Sequence, residues 1–267
     1  LVTLISENLD IRSSTYKEAF QSSINEIGVR YLAIDDLLPE DICHEIYNQF
    51  PSKNQMRFMS SFREKKFTSK NFDSHHPLLT DITFALQDSQ VIKHVEYITG
   101  ISNQSADPTL YAGGLSAMTK NNFLSPHIDN SHNAKKDKYR TLNLLYYVTP
   151  EWKLESGGNL QLWDTNVRKH ITIHSKFNRL VLMETTPTSW HSVNKVNIDH
   201  SRCCVSNYYF SSSSPTGNEY YNVTSFSAPL LQPLRRYSGK LDSIARNSLR
   251  KIFPSGLGKE DIYNSKK

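Results

Sequence analysis

The sequence predicts a mainly β protein with flanking helices: a double-stranded β-helix of jelly-roll, cupin-like type packed against N-terminal helices. Three observations predict it. Eight short β-rich runs follow one another after Gly100, separated by turn signals. The 267 residues are 37% hydrophobic, with 14 Tyr and 12 Phe, which is enough to fill a large core without disulfide staples. The helical patterns come first and the strands later, the order expected when helices lie against one side of a barrel.

Taken in order, "VRYLAIDD" reads as a short strand, and a helix opens at Pro39, where a missing N–H costs nothing. Ile42, Ile46 and Phe50 keep helical spacing. A second helical stretch runs from about Pro77 to Ile98, and Gly100 ends it. The β-rich runs are "TLYAGGLSAM", "FLSPHID", "RTLNLLYYVT", "GGNLQLWD", "HITIH", "RLVLMET", "SWHSVNKV" and "RCCVSNYYF". This gives a single domain over 1–210, with helical support to about 100 and the jelly-roll core from about 101. Beyond it, 211–267 reads as the polar linker "SSSSPTGNE" followed by a basic amphipathic helix and tail.

Charge is uneven. From Pro233 to Lys267 there are nine basic residues against three acidic ones, although the chain as a whole carries only +5. That helix is expected to contact an anionic partner or mediate oligomerisation, and its few aromatics argue against a nucleic-acid platform. No apolar run reaches the roughly 18 residues of a membrane span, and the N-terminus lacks a signal-peptide layout. Cys203 and Cys204 are neighbours that point to opposite strand faces, so with Cys43 they make poor disulfides. A reducing, cytoplasmic setting is the default expectation.

The chemistry is concentrated in "LSPHIDN". On an extended strand His127 and Asp129 point the same way and converge, which suits a metal ion or a plain hydrogen bond. His191 in "TSWHSV" lies 62 residues beyond Asp129, and Arg202 opens the last core strand 11 residues later. Two imidazoles and one carboxylate can hold one face of an octahedral Fe(II) and leave the other positions open. An arginine can pair bidentately with the far carboxylate of a keto acid.

The segments "HID", "YRTLNLLYYVTP", "ESGGNLQLW", "FNRLVLMETTPTSWHSV" and "RCCVSNYYF", in that order, resemble the Fe(II)/2-oxoglutarate dioxygenases of the prolyl-4-hydroxylase-like branch. The resemblance covers roughly residues 30–210. It implies His127, Asp129 and His191 as iron ligands, Arg202 as the 2-oxoglutarate anchor, and Tyr147 as a second partner of the same carboxylate. Dioxygen is the co-substrate it implies, with L-ascorbate as a candidate reductant. Strand alternation sets Asn143 and Leu145 on the inward face of Tyr147, and Cys204, Ser206 and Tyr208 on the face of Arg202. Asn143 is therefore a further candidate at the cofactor. Met118 stands where the family often offers a polar or aromatic side chain, a departure by which the resemblance leaves the substrate of the hypoxia-type prolyl hydroxylases unassigned here. Asp129 is the residue that related halogenases replace, so its presence favours hydroxylation.

The expected activity is hydroxylation of an unactivated C–H in a small molecule, amino acid or peptide, coupled to decarboxylation of 2-oxoglutarate to succinate. The rival readings are a non-oxidative cupin-type metalloenzyme, which usually lacks the downstream arginine, and a non-catalytic binding module. Arg179 is expected in a structural ion pair, and His170 and His174 as surface imidazoles. The loop 130–138, rich in lysine, is expected to border the entrance.

Overall fold

The computed structural model describes residues 1–69, 72–111, 113–228 and 263. The basic helix expected over 233–253 lies outside the described residues. Six helices, α1 (Val2–Ile11), α2 (Ser13–Ser22), α3 (Ile24–Ile27), α4 (Glu40–Asn48), α5 (Pro77–Ala85) and α6 (Ser89–Thr99), accompany thirteen strands among those residues. The strands are β1 (Tyr31–Ile34), β2 (Arg57–Ser60), β3 (Glu64–Thr68), β4 (Ser105–Ala106), β5 (Gly114–Met118), β6 (Phe123–Ile128) and β7 (Tyr139–Tyr147). They continue with β8 (Leu160–Trp163), β9 (His170–Ile173), β10 (Arg179–Glu184), β11 (His191–Val193), β12 (Arg202–Ser211) and β13 (Ser225–Phe226).

The strands form a nearly closed antiparallel barrel in the order β1-β10-β7-β12-β5-β3-β6-β11-β8-β9. Its major wall is β1-β10-β7-β12-β5 and its minor wall β6-β11-β8-β9. Strand β3 joins them, pairing Phe67 and Thr68 with β5 and Glu64 and Lys65 with β6. All eight β-rich runs hold a strand. The two-residue strands and the β2–β3 hairpin were not legible, because too few alternating positions mark them.

Alternation decides what each wall buries. Leu142, Leu144, Tyr146, Leu180, Leu182, Cys203, Val205 and Tyr209 face outward into the helix layer, where Ile5, Leu9, Phe20, Leu79, Ile82, Val91 and Val95 meet them. Tyr147, Val181, Met183 and Cys204 face inward, against Leu160, Leu162 and Ile173 of the minor wall. Cys203 and Cys204 thus lie on opposite faces, and all three cysteines are free and buried. Buried polar side chains fasten the helices to the major wall. Asn207 joins Thr83 O to the Gln87 amide, and Asn178 joins both Leu38 O and the Tyr146 hydroxyl. No described helix is long and apolar enough to cross a membrane.

Two local departures have clear causes. The helix expected from Pro77 to Ile98 is broken in two, because the Asp88 side chain accepts the Gln90 N–H and caps α6 afresh. Gly100 does end it, in the left-handed conformation. Residues 211–219, read as a linker, form turns, and the chain beyond them returns to the barrel, where β13 pairs with β6.

Candidate metal and keto-acid site

His127 near the end of β6 and His191 at the start of β11 sit directly across the strand pair from each other. Each ring is fixed in the same way. Nδ1 lies 3.0 Å from the carbonyl oxygen two residues back, Ser125 O for His127 and Ser189 O for His191. A carbonyl can only accept, so each Nδ1 carries the proton and each Nε2 turns a lone pair toward the other ring. Asp129 closes the triangle, with Oδ1 3.6 Å from His127 Nε2 and Oδ2 3.5 Å from His191 Nε2. One donor atom from each of the three lies within 4.8 Å of the others, and among the described residues this is the group able to hold a metal ion.

The charges are arranged for that use. Burial pushes the Asp129 carboxyl up. The Arg140 guanidinium, then His191 and His127, pull it the other way and hold it well below the ordinary carboxylate range. His191 is pushed down to about 4, first by burial and then by His127, against the opposing pull of Asp129. An ionised Asp129 and a neutral His191 are the protonation states a divalent cation requires of these ligands.

Arg202 is 4% exposed, and its guanidinium carbon lies 5.2 Å from the centre of the Tyr147 ring. Its Nε finds no acceptor, and no carboxylate pairs with the guanidinium among the described residues. A buried cation without an anion is costly, so this end of the barrel fits a ligand carboxylate. The Gly157-Gly158 turn makes the space. Both glycines have positive φ, a Cβ on Gly157 would fall 2.0 Å from Lys195 O, and one on Gly158 would fall 3.2 Å from the Arg202 Cδ. Met118 opposes Arg202 across β5–β12 and packs with Trp152 and Val196. Tyr147 lies beside Arg202, with its hydroxyl pushed up to about 12 by burial first and Cys204 second. Asn143 lies elsewhere: its Nδ2 donates to Asp129 Oδ2 at 2.7 Å, so its contact is with the carboxylate of the triangle.

Three contributors were not legible. Arg140 is 1% exposed, places Nη1 3.1 Å from Asp129 Oδ2, and stacks 3.9 Å from the Tyr208 ring centre. Counting by twos from Tyr147 turns Arg140 outward. A β-bulge reverses the count: Tyr209 opposes Leu142, but Phe210 opposes Arg140. Asn222 donates to Asp129 O at 2.8 Å and exchanges backbone and side-chain bonds with Ser131. Phe226 stacks on the His127 ring at 5.4 Å. Both come from beyond the last long strand, where no pattern marked them.

The remaining histidines do other work. His170 lies against Trp163 and Gln161, and His174 reaches Trp152 O. Arg179 holds Asp35 through two nitrogens, a structural ion pair between β10 and the end of β1. The 130–138 loop carries His132, stacked on Tyr139 at 4.4 Å, with Tyr220 and Tyr221 alongside.

The segment 113–210 matches the family model of the 2OG-Fe(II) oxygenase superfamily. The matched residues make up a little over a third of the chain. They contain the whole triad and Arg202, and the donor set fits the iron and 2-oxoglutarate that this superfamily uses. No curated protein sequence matches the chain. Among solved structures, a prolyl-4-hydroxylase from Pseudomonas putida is similar at TM-score 0.54 and 11% identity, over 73% of this chain and 98% of its own. A Trichoplax adhaerens prolyl hydroxylase, solved with a hypoxia inducible factor oxygen degradation domain peptide, is similar at 0.53 and 18%, over 74% and 90%. A Phytophthora capsici prolyl 4-hydroxylase is similar at 0.56 and 15%, over 94% and 87%. At these identities the likeness is one of fold.

Proposed function

We propose that this 2OG-Fe(II) oxygenase domain hydroxylates an unactivated C–H, with a peptidyl residue as its substrate class. The observation that carries the reading is the pairing of one metal triangle with one buried arginine that has no carboxylate partner among the described residues, inside the same barrel. His127, Asp129 and His191 would hold iron through Nε2, a carboxylate oxygen and Nε2. Arg202 and Tyr147 would hold the far carboxylate of 2-oxoglutarate, the arginine by charge and a two-pronged hydrogen bond. Bound together, iron and 2-oxoglutarate supply the oxidation of a C–H by dioxygen, leaving succinate and carbon dioxide.

The protein's own part is positional. The Ser125 and Ser189 carbonyls keep both imidazoles aimed. The interior apolar residues Leu160, Leu162, Val181 and Met183 keep water from the reacting centre. A peptidyl substrate is supported by the aromatic cluster that follows Asp129 along the chain, where His132, Tyr139, Tyr220 and Tyr221 pack on one another and Tyr221 is exposed. It is supported too by the peptide bound to the Trichoplax adhaerens enzyme of like fold.

The test is anaerobic titration of the full chain with Fe(II) and 2-oxoglutarate, followed by succinate release against peptide and metabolite pools. One iron, one 2-oxoglutarate and peptide-stimulated succinate are expected. His191→Ala should abolish succinate formation. Iron binding without 2-oxoglutarate binding would instead favour a non-oxidative cupin-type enzyme.

A further inference from the structure

Asp129 has two oxygens, and the fold treats them differently. Oδ2 receives the Asn143 amide at 2.7 Å and the Arg140 guanidinium at 3.1 Å. Each oxygen also faces one imidazole, Oδ1 toward His127 Nε2 at 3.6 Å and Oδ2 toward His191 Nε2 at 3.5 Å, so what separates them is that Oδ1 receives neither donor. Neither donor is free to turn away. The Asn143 carbonyl oxygen accepts the Thr185 hydroxyl at 3.4 Å, which orients its amide. Arg140 is clamped on Tyr208, and the bulge opposite Tyr209 and Phe210 aims it inward. Burying an arginine to this depth is expensive. The strand would present Arg140 to the helix layer if its alternation were regular, so the bulge has a consequence at the site.

An octahedral ion offers six positions. Two imidazoles, a chelating carboxylate and a chelating keto acid would fill all six. Dioxygen would then have nowhere to bind. A carboxylate oxygen already accepting two hydrogen bonds, one of them charged, is a poor ligand. We propose that Arg140 and Asn143 are positioning residues that hold Asp129 to one-oxygen binding of iron, through Oδ1, and so keep one position open for dioxygen. The inference rests on the function proposed above.

The experiment uses the full chain, loaded anaerobically with Fe(II) and 2-oxoglutarate, and nitric oxide as the stand-in for dioxygen, read by the high-spin iron–nitrosyl EPR signal. Asn143→Leu removes one donor without touching charge, Arg140→Met removes the other, and Arg140→Lys restores a cation. Nitric oxide affinity is expected to fall roughly tenfold or more in Asn143→Leu and Arg140→Met and to recover in Arg140→Lys. Wild-type nitric oxide affinity in both donor-less variants overturns the inference, including the case where only the KM for substrate rises and Arg140 is a substrate donor. Should Arg140→Met fail to fold, Asn143→Leu decides alone. A wild-type protein that binds no iron or no 2-oxoglutarate would instead sink the underlying function, so the two failures are distinguishable.

Discussion

Arg202 and Arg140 are buried in the same barrel wall, near opposite ends of β12, and they are buried differently. Arg140 has its anion within the protein, Asp129 at 3.1 Å, and an aromatic ring beneath it, although its Nε and Nη2 find no acceptor, like the Arg202 Nε. Arg202 has the aromatic ring but no carboxylate among the described residues. A compensated guanidinium orders what is already there, whereas an uncompensated one awaits a ligand. The difference teaches that burial of a charge does not by itself mark a binding site. What marks it is burial without a counter-charge.

The largest expected effect breaks the Arg202 end. Gly157→Ala would drive a methyl group into Lys195 O at a left-handed position, costing on the order of 3 kcal/mol or more and displacing the turn that packs on Arg202. Thermal denaturation should show a large fall in midpoint. Arg202→Met is gentler on the fold. It should weaken 2-oxoglutarate binding about 100-fold, near 3 kcal/mol, and leave iron affinity close to wild type. Calorimetric titration of each ligand separately checks both halves. An equal loss for iron would erase the contrast between the two arginines.

Thr141 sharpens the comparison from the other end. Its hydroxyl lies 2.5 Å from Gln104 Oε1 and 3.1 Å from Tyr209 O, at the bulge that turns Arg140 inward. Thr141→Val should cost about 1 kcal/mol of stability. It should reduce iron affinity more than 2-oxoglutarate affinity, the reverse of Arg202→Met.

How much of this was legible follows from the same contrast. Regular alternation carried the barrel and the opposed faces of Cys203 and Cys204, whereas Tyr147 came from the family resemblance. Spacing and residue type picked out His127, Asp129 and His191. Arg140 was hidden because a bulge is a local decision of two paired strands, and a count along one strand cannot register it. Asn143 was placed on the right face and given the wrong neighbour, since alternation fixes direction and not depth along the barrel. Asn222 and Phe226 were hidden because a two-residue strand carries no period at all.

The smallest effect serves as the control. The Arg179–Asp35 pair is a structural bridge with a carboxylate about 35% exposed. Its carboxyl is lowered, first by the Arg179 hydrogen bond, with burial opposing. A depressed folded-state value means the pair stabilises above the ordinary value of 3.8 and loses that contribution as pH falls through the lowered one. Asp35→Asn should therefore cost up to about 1 kcal/mol at neutral pH after solvent screening. Denaturation midpoints of wild type and variant should converge as pH drops below the carboxylate range, with both cofactor affinities unmoved.

The return of the chain to β6 has a practical corollary. A fragment cut after Ser211 would keep every side chain of the triangle and Arg202, yet it would lose the Asn222 amide on the Asp129 backbone and the Phe226 ring over His127. Such a fragment would carry an intact recognition signature around a loosened, water-exposed iron pocket. The candidate site thus extends past the segment 113–210 that matches the family model.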